Sequence, residues 1–229
     1  MFNEHLYHGT GKIRGDRMLS NQEMEISRGN SHWLGDGSYF FEEKLYAFKW
    51  ISDMCRKRYP KEPHDESLIR NYSILEASIL TIKERVFDLN KAEHKILFDE
   101  VYNLLYEMKK ESADLCKSEL SEGVVLNYMF ESMNFKEKYD IVVAVFLRNT
   151  TNYKSINTRL GFMPQKQICV KKQDIVKNII DVNYREDIAS FQQQLSKLNY
   201  NAPISHLKTL KRNSIKGTHL HKKAYNMIK

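Results

Sequence analysis

The chain alternates between apolar runs of strand length and longer stretches in which apolar residues recur every three or four positions. The runs of strand length are rich in aromatic and β-branched residues and are bounded by turn-forming residues. They predict strands over residues 2–10, 38–41, 72–82, 141–147 and 165–170. The run over residues 141–147 is apolar throughout, which predicts a buried strand.

Helical spacing is clearest over residues 42–58, where Leu45, Phe48, Ile51 and Cys55 form one apolar stripe. Acidic residues begin this segment and basic residues end it, which complements the helix macrodipole. Further helices are predicted over residues 91–117, 123–133 and 185–198, with a short helix after residue 12 and a short helical or edge element over 173–180.

These elements predict an α+β fold, because the strands are scattered and do not alternate regularly with helices. A doubly wound nucleotide-binding fold is disfavoured, since the chain has no Gly-rich loop of the Rossmann or Walker type. We expect one domain over residues 1–184 and a basic extension, a helix plus a tail, over residues 185–229.

Composition limits the classes of protein further. The 229 residues are 41% hydrophobic and 28% charged, which suits a globular domain that needs neither metal nor disulfide. Cys55, Cys116 and Cys169 are odd in number and far apart, which favours reduced thiols in the cytoplasm. No zinc-ligand spacing, apolar run of membrane length or secretory signal is found, so we expect a cytoplasmic protein with no metal and no membrane partner.

The net charge of +7 is concentrated at the C-terminal end. Residues 189–229 contain seven lysines, Arg212 and no acidic residue, and the first 188 residues carry 28 basic and 29 acidic side chains. Tyr200, Tyr225 and three histidines are interspersed among these cations. Basic and aromatic residues together suit single-stranded nucleic acid, although a solvated basic tail is equally compatible with the pattern.

Two motifs near the N-terminus place small residues beside a histidine and a tyrosine: LYHGT ending at Thr10, and GDGSYFF ending at Phe41. A helix with Ala47 and Trp50 follows, and QKQICV ends at Val170. In this order the motifs resemble the ADP-ribosyltransferase family, in its poly(ADP-ribose) polymerase and diphtheria-toxin branch. The resemblance implies two small antiparallel sheets with inserted helices and NAD as the ADP-ribose donor.

The resemblance also implies roles for the first motif. His8 would hydrogen-bond a ribose hydroxyl of the adenosine, as a neutral imidazole both donates and accepts. Gly9, which lacks a Cβ, would let its backbone approach the nicotinamide carboxamide, and Thr10 would contact the adenine ribose side.

The later motifs complete the predicted cleft. Tyr39 would stack on the nicotinamide ring, Gly37 would turn the chain beneath it, and Trp50 resembles a second stacking aromatic. Gln167 occupies the place of the glutamate expected in this family, and Gln165 precedes it on the same side of the strand. His8, Tyr39 and Gln167 are therefore the candidate catalytic residues, around one dinucleotide.

An amide holds a ribose hydroxyl but supplies no negative charge, which argues against synthesis of long ADP-ribose chains. Single transfer would then need a base from the acceptor or from another acid, such as Glu42 or Glu43. The expected function is mono-ADP-ribosylation of RNA or DNA bases by a toxin or phage-defence effector, with a neutralising antitoxin as a possible partner. The alternatives are mono-ADP-ribosylation of a host protein, a catalytically silent NAD or ADP-ribose-binding module, and a nucleic-acid-binding domain with no role for NAD.

Overall fold

A computed structural model describes residues 1–29, 32–111, 120–149 and 162–197. The strands in this part of the chain are β1 (Phe2–Gly11), β2 (Ser38–Phe41), β3 (Tyr72–Thr81), β4 (Val86–Asp88), β5 (Ile141–Asn149), β6 (Phe162–Val170) and β7 (Val176–Asp181). The α-helices are α1 (Lys12–Asn21), α2 (Lys44–Arg58), α3 (His64–Asn71), α4 (Ala92–Glu111), α5 (Glu122–Ser132), α6 (Phe135–Lys138) and α7 (Ile188–Lys197). Short 3-10 turns cover Lys83–Arg85 and Gln173–Ile175.

The strands form one sheet in the order β4-β5-β6-β2-β1-β3-β7. Every pairing is antiparallel except that of β4 with β5, so the predicted α+β class is confirmed. The two separate small sheets that the resemblance implies are not found among the described strands, because the pairing of β1 with β2 joins the strands into one sheet. The two halves of this sheet, β4-β5-β6-β2 and β1-β3-β7, are joined by one pair of residues, Tyr7 with Phe41.

The strands and long helices predicted from hydrophobic spacing are present, with ends that differ by a few residues. The helix predicted over 91–117 is described as α4, and the last residues of that prediction lie outside the described ranges. The short elements α3, β4 and α6 were not predicted. None of the helices in the described ranges combines the length and hydrophobicity needed to cross a membrane.

Side chains alternate across the sheet and give it two faces, which we name after the helices that cover them. The α1 face carries Leu6, His8, Thr10, Phe40 and Ile168, with α1 packed over β1, β3 and β7. The α2 face carries Tyr7, Gly9, Phe41, Gln165 and Gln167, as the strand register requires. On that face α2, α3 and α7 cover the half with β1 and β3, and α4 and α5 cover the half with β5 and β6.

Helix α7, which begins the predicted basic extension, packs on the main domain. Ile188, Phe191 and Leu195 join the apolar cluster of α2. The Tyr184 hydroxyl, just before α7, shares its one proton between the carbonyls of Leu68 and Tyr72, at 3.0 and 2.9 Å. Residues 198–229, which carry most of the basic tail, lie outside the described residues.

Candidate functional site

Several of the predicted residues lie near the point where β1 and β2 separate. Tyr7 pairs with Phe41, and in the described ladder β1 forms no further pair with β2 beyond that point, although it remains paired with β3 through Gly11. His8 and Gly9 therefore follow directly after the junction on one strand, and Tyr39 precedes it on the other. On this side the edge of β1 beyond Tyr7 is not paired with β2 in the described strands, and we call this gap the β1–β2 split.

The His8 imidazole bridges the split. Its Nδ1 lies 2.7 Å from the carbonyl oxygen of Tyr39, so Nδ1–H donates this hydrogen bond. Burial is the main reason that the pKa of His8 is lowered, the charge of Arg14 adds to this effect, and the bond to Tyr39 and the charge of Glu25 oppose it. The neutral ring then has Nε2 as an acceptor, and Nε2 has no hydrogen-bond partner among the described residues. The contact of this atom with a ribose hydroxyl stays a prediction.

Gly9 lies on the other face, directly beneath α2. A Cβ at this position would be 2.8 Å from the Ala47 carbonyl oxygen, 2.8 Å from Ile51 Cγ2 and 3.3 Å from Trp50 Cε3. Only glycine allows this approach, which brings Trp50 close to Gly9. The Trp50 residue is 41% exposed, so the indole still presents surface to a ligand.

Tyr39 is held by the loop that precedes it. Its hydroxyl donates to the Gly35 carbonyl at 2.6 Å and accepts from the Leu34 amide at 2.9 Å, and its ring lies 5.6 Å from that of His32. Burial is the main cause of the raised pKa of Tyr39, which keeps the phenol protonated. Its hydroxyl fixes the loop, and stacking of its ring on nicotinamide remains a prediction.

Gly37 allows the same loop to lie against β6. A Cβ here would be 2.4 Å from Cys169 Sγ and 2.7 Å from the Val170 carbonyl oxygen. The Lys171 ammonium donates to the carbonyls of Leu34 and Asp36, both at 2.6 Å. Packing against β6 therefore explains why glycine is needed at position 37, whereas a position beneath a nicotinamide ring was predicted.

The two glutamines of β6 share the α2 face, as their spacing predicted. Gln167 lies opposite Phe41 on one side and Ala144 on the other, and Gln165 lies opposite Phe146. Both are buried, and Gln165 Oε1 has no hydrogen-bond partner in the described structure.

The two acidic residues that follow β2, predicted as alternative bases for the transfer, are less well placed for that role. The Glu42 carboxylate accepts a hydrogen bond from Lys166 at 2.8 Å, and Glu43 is an exposed residue at the start of α2. The Glu42 carboxylate is therefore already engaged in an ion pair with Lys166.

The expected convergence of imidazole, phenol and amide is only partly found, and this corrects the prediction. His8 and Thr10 project to the α1 face, where Thr10 is buried and would lie 3.2 Å from a Cβ placed on Gly15. Tyr39 and Gln167 project to the α2 face. The physical reason is the two-residue period of a strand, which sends His8 and Gly9 to opposite faces. A dinucleotide that contacts all of them must pass through the β1–β2 split.

Sequence reasoning missed a polar cluster beside the junction. The Tyr7 phenol and His5 both approach Glu76 on β3, with His5 Nδ1 3.2 Å from its carboxylate. Burial first, and then the charge of Glu76 and a hydrogen bond to it, raise the pKa of Tyr7. Only the pairing of β1 with β3 reveals this cluster, because Glu76 is remote in sequence.

A separate cavity of about 350 Å³ lies between α2, α3 and α7, and none of the predicted site residues lines it. Its wall includes a hydrogen bond of 3.0 Å between Ser52 Oγ and His64 Nε2, and an ion pair between Lys49 and Asp53. This serine and histidine could not be paired from the sequence, because their contact depends on which helices pack together.

Comparison with known proteins gives one clear relative. No family model matches the chain, and no solved structure matches it. A protein of the archaeon Methanocaldococcus jannaschii, described as the uncharacterized protein MJ0359, is 37% identical over 192 residues, which is 76% of this chain and 85% of the relative. This similarity extends over most of both chains, and the chain belongs to the same protein family as this Methanocaldococcus jannaschii protein.

Proposed function

We propose that the protein is an NAD-dependent mono-ADP-ribosyltransferase. The β1–β2 split is the observation that carries this proposal, because a neutral histidine and a close-packed glycine beneath an exposed tryptophan lie beside it, and the buried Gln167 lies level with the Tyr7–Phe41 junction. An elongated ligand that crosses the split would therefore meet three kinds of group: an acceptor for a ribose hydroxyl, an aromatic surface and a neutral amide.

Their expected roles follow from their chemistry. His8 Nε2 accepts from an adenosine ribose hydroxyl, Trp50 stacks on the nicotinamide, and the Gln167 amide hydrogen-bonds the ribose that carries it. The bond between nicotinamide and C1′ of that ribose breaks, and its electron pair leaves with nicotinamide. A nitrogen or oxygen lone pair of the acceptor forms the new bond to C1′, and the acceptor proton passes to solvent or to a base.

The amide at position 167 favours single transfer over chain synthesis. Positive charge develops on the ribose as the bond breaks, and a carboxylate stabilises such charge better than a neutral amide. We therefore expect slow turnover in the native protein. The change Gln167→Glu should raise the rate of nicotinamide release by about tenfold, equivalent to about 1.4 kcal/mol of transition-state stabilisation.

The test measures nicotinamide release from NAD by the purified full chain, together with NAD affinity. Trp50→Ala should weaken NAD binding about tenfold through loss of stacking, whereas Trp50→Phe, the matched control, should retain most of it. Absence of both NAD binding and nicotinamide release in the native protein would refute the proposal.

The acceptor we propose is a base of RNA or DNA, as the net charge of +7 and the acid-free basic segment support. Such an activity suits a cytoplasmic toxin or phage-defence effector that is kept inactive by an antitoxin. Incubation with labelled NAD, RNA, DNA and protein distinguishes the acceptors, and label on protein alone would indicate mono-ADP-ribosylation of a host protein.

A second candidate function is a silent NAD or ADP-ribose sensor, which the glutamine in place of the expected glutamate favours. A sensor would bind NAD with the same dependence on Trp50 and release no nicotinamide.

A further inference from the structure

A second exposed tryptophan lies on the α2 face, on the β5–β6 side of the split and away from Trp50. Trp33 is 45% exposed, and its ring centroid lies 4.7 Å from that of Phe146. Tryptophan is highly buried in most proteins, so a half-exposed indole backed by a second ring is unusual. The pair offers a flat apolar surface on which another ring can stack.

A buried hydrogen-bond acceptor lies beside this surface. Gln165 is directly opposite Phe146 in the β5–β6 register, so both side chains project from the same face. The residue is 3% exposed, and Oε1 finds no donor in the described part of the chain. A buried acceptor without a partner commonly marks a bound water or ligand. A ligand ring that stacks on Trp33 could satisfy Gln165 Oε1 with an N–H or O–H donor at its edge.

The loop that carries Trp33 is anchored, and it bears a positive charge. Lys171 fixes it through the Leu34 and Asp36 carbonyls, and the Asp36 amide donates to Asn127 Oδ1 at 2.7 Å. The side chain of Arg28 is 72% exposed, and its guanidinium is 3.8 Å from the Asp36 carboxylate. Most of its donors therefore face solvent, where a phosphate can reach them.

We propose that Trp33, Phe146 and Gln165 form a subsite for one base of a single-stranded nucleic acid. This inference rests on the proposed function and deepens it, because it places the acceptor on the side of the split away from Trp50. The base stacks on Trp33, a ring N–H or exocyclic amine donates to Gln165 Oε1, and a phosphate further along the strand faces Arg28. A phenylalanine or tyrosine side chain of a protein acceptor would stack but would bring neither the edge N–H nor the phosphate.

The test compares two single strands of about 12 nucleotides, one of mixed sequence and one abasic with the same number of phosphates. Trp33→Ala should weaken binding of the mixed strand by about tenfold, leave the abasic strand unchanged, and leave NAD affinity unchanged. Trp33→Phe is the matched control and should retain most of the affinity. Gln165→Leu, which keeps the volume of the side chain but removes the acceptor, should also weaken the mixed strand and leave the abasic strand unchanged.

Two results would overturn the subsite: equal binding of both strands by the native protein, or equal effects of Trp33→Ala on both. Thermal unfolding of each variant shows whether a lost affinity merely reflects a lost fold, and Trp33→Phe settles the question if Trp33→Ala unfolds. Base-dependent binding through Trp33 in a protein that neither binds nor cleaves NAD would support the subsite and refute the transferase, so the two failures are distinguishable.

Discussion

Replacing Gly9 by alanine tests the close packing of α2 on β1 at the candidate site. The new Cβ would lie 2.8 Å from both the Ala47 carbonyl oxygen and Ile51 Cγ2. The carbonyl belongs to the helix backbone and cannot rotate away, so α2 must shift. Overpacking of this kind costs about 1–3 kcal/mol. Because Trp50 also touches this position, the shift should displace the indole and weaken NAD binding as well.

Gly11→Ala is the matched control, since a Cβ there meets nothing closer than the Asn71 carbonyl oxygen at 3.9 Å. Its effect should stay within about 0.5 kcal/mol. Urea unfolding measures both variants. With a slope of about 2 kcal/mol per molar, Gly9→Ala should lower the midpoint by about 0.5–1.5 M. Equal midpoints for the two variants would show that α2 does not sit on Gly9.

Three further substitutions probe the electrostatics and packing around the sheet. Burial raises the pKa of Asp140, but two hydrogen bonds of 2.7 Å from Arg85, one from Thr81 and the nearby positive charges together lower it below its usual value. Asp140→Ala should cost about 2–3 kcal/mol at pH 7, and this difference shrinks as pH falls below about 4, where unfolded aspartate protonates. Burial lowers the pKa of His8, so the folded protein resists protonation of this side chain and should lose stability as pH falls from about 6.5. Urea unfolding across this range should show a weaker dependence of the unfolding free energy on pH for His8→Asn. The same dependence in both proteins would contradict the assigned burial. Gly37→Ala, with its Cβ 2.4 Å from Cys169 Sγ, should destabilise more than Gly9→Ala in the same assay.

Elements with strong periodic patterns could be predicted from the sequence, and short ones could not. The run over residues 141–147 is apolar and β-branched, and β5 lies there as expected. β4 has only three residues, and its pairing with β5 depends on tertiary contact. α3 begins just after Pro63 with two acids in its first turn, but its mostly polar composition hides its two buried residues, Ser67 and Leu68.

The candidate site shows the same division between local and non-local information. The alternation along β1 already implies that His8 and Gly9 face opposite ways, and the spacing of Gln165 and Gln167 implies a shared face. Which face the glutamines share depends on the register of Gln167 with Phe41, which pairs segments more than 120 residues apart. Trp33 had a visible cue, since it stands four residues before Gly37, but its exposure and its contact with Phe146 require the folded chain.

The junction of the sheet has a mechanical consequence. Only the Tyr7–Phe41 pair and the His8–Tyr39 bond link β1 to β2, whereas β1 and β3 pair along ten residues. Each half also has its own apolar cluster beneath its own helices on the α2 face. Rotation of one half against the other would break few backbone hydrogen bonds, but it would disrupt the apolar cluster of the α1 face, which extends across both halves. Side-chain packing on that face, more than strand pairing, therefore resists a hinge motion at the junction.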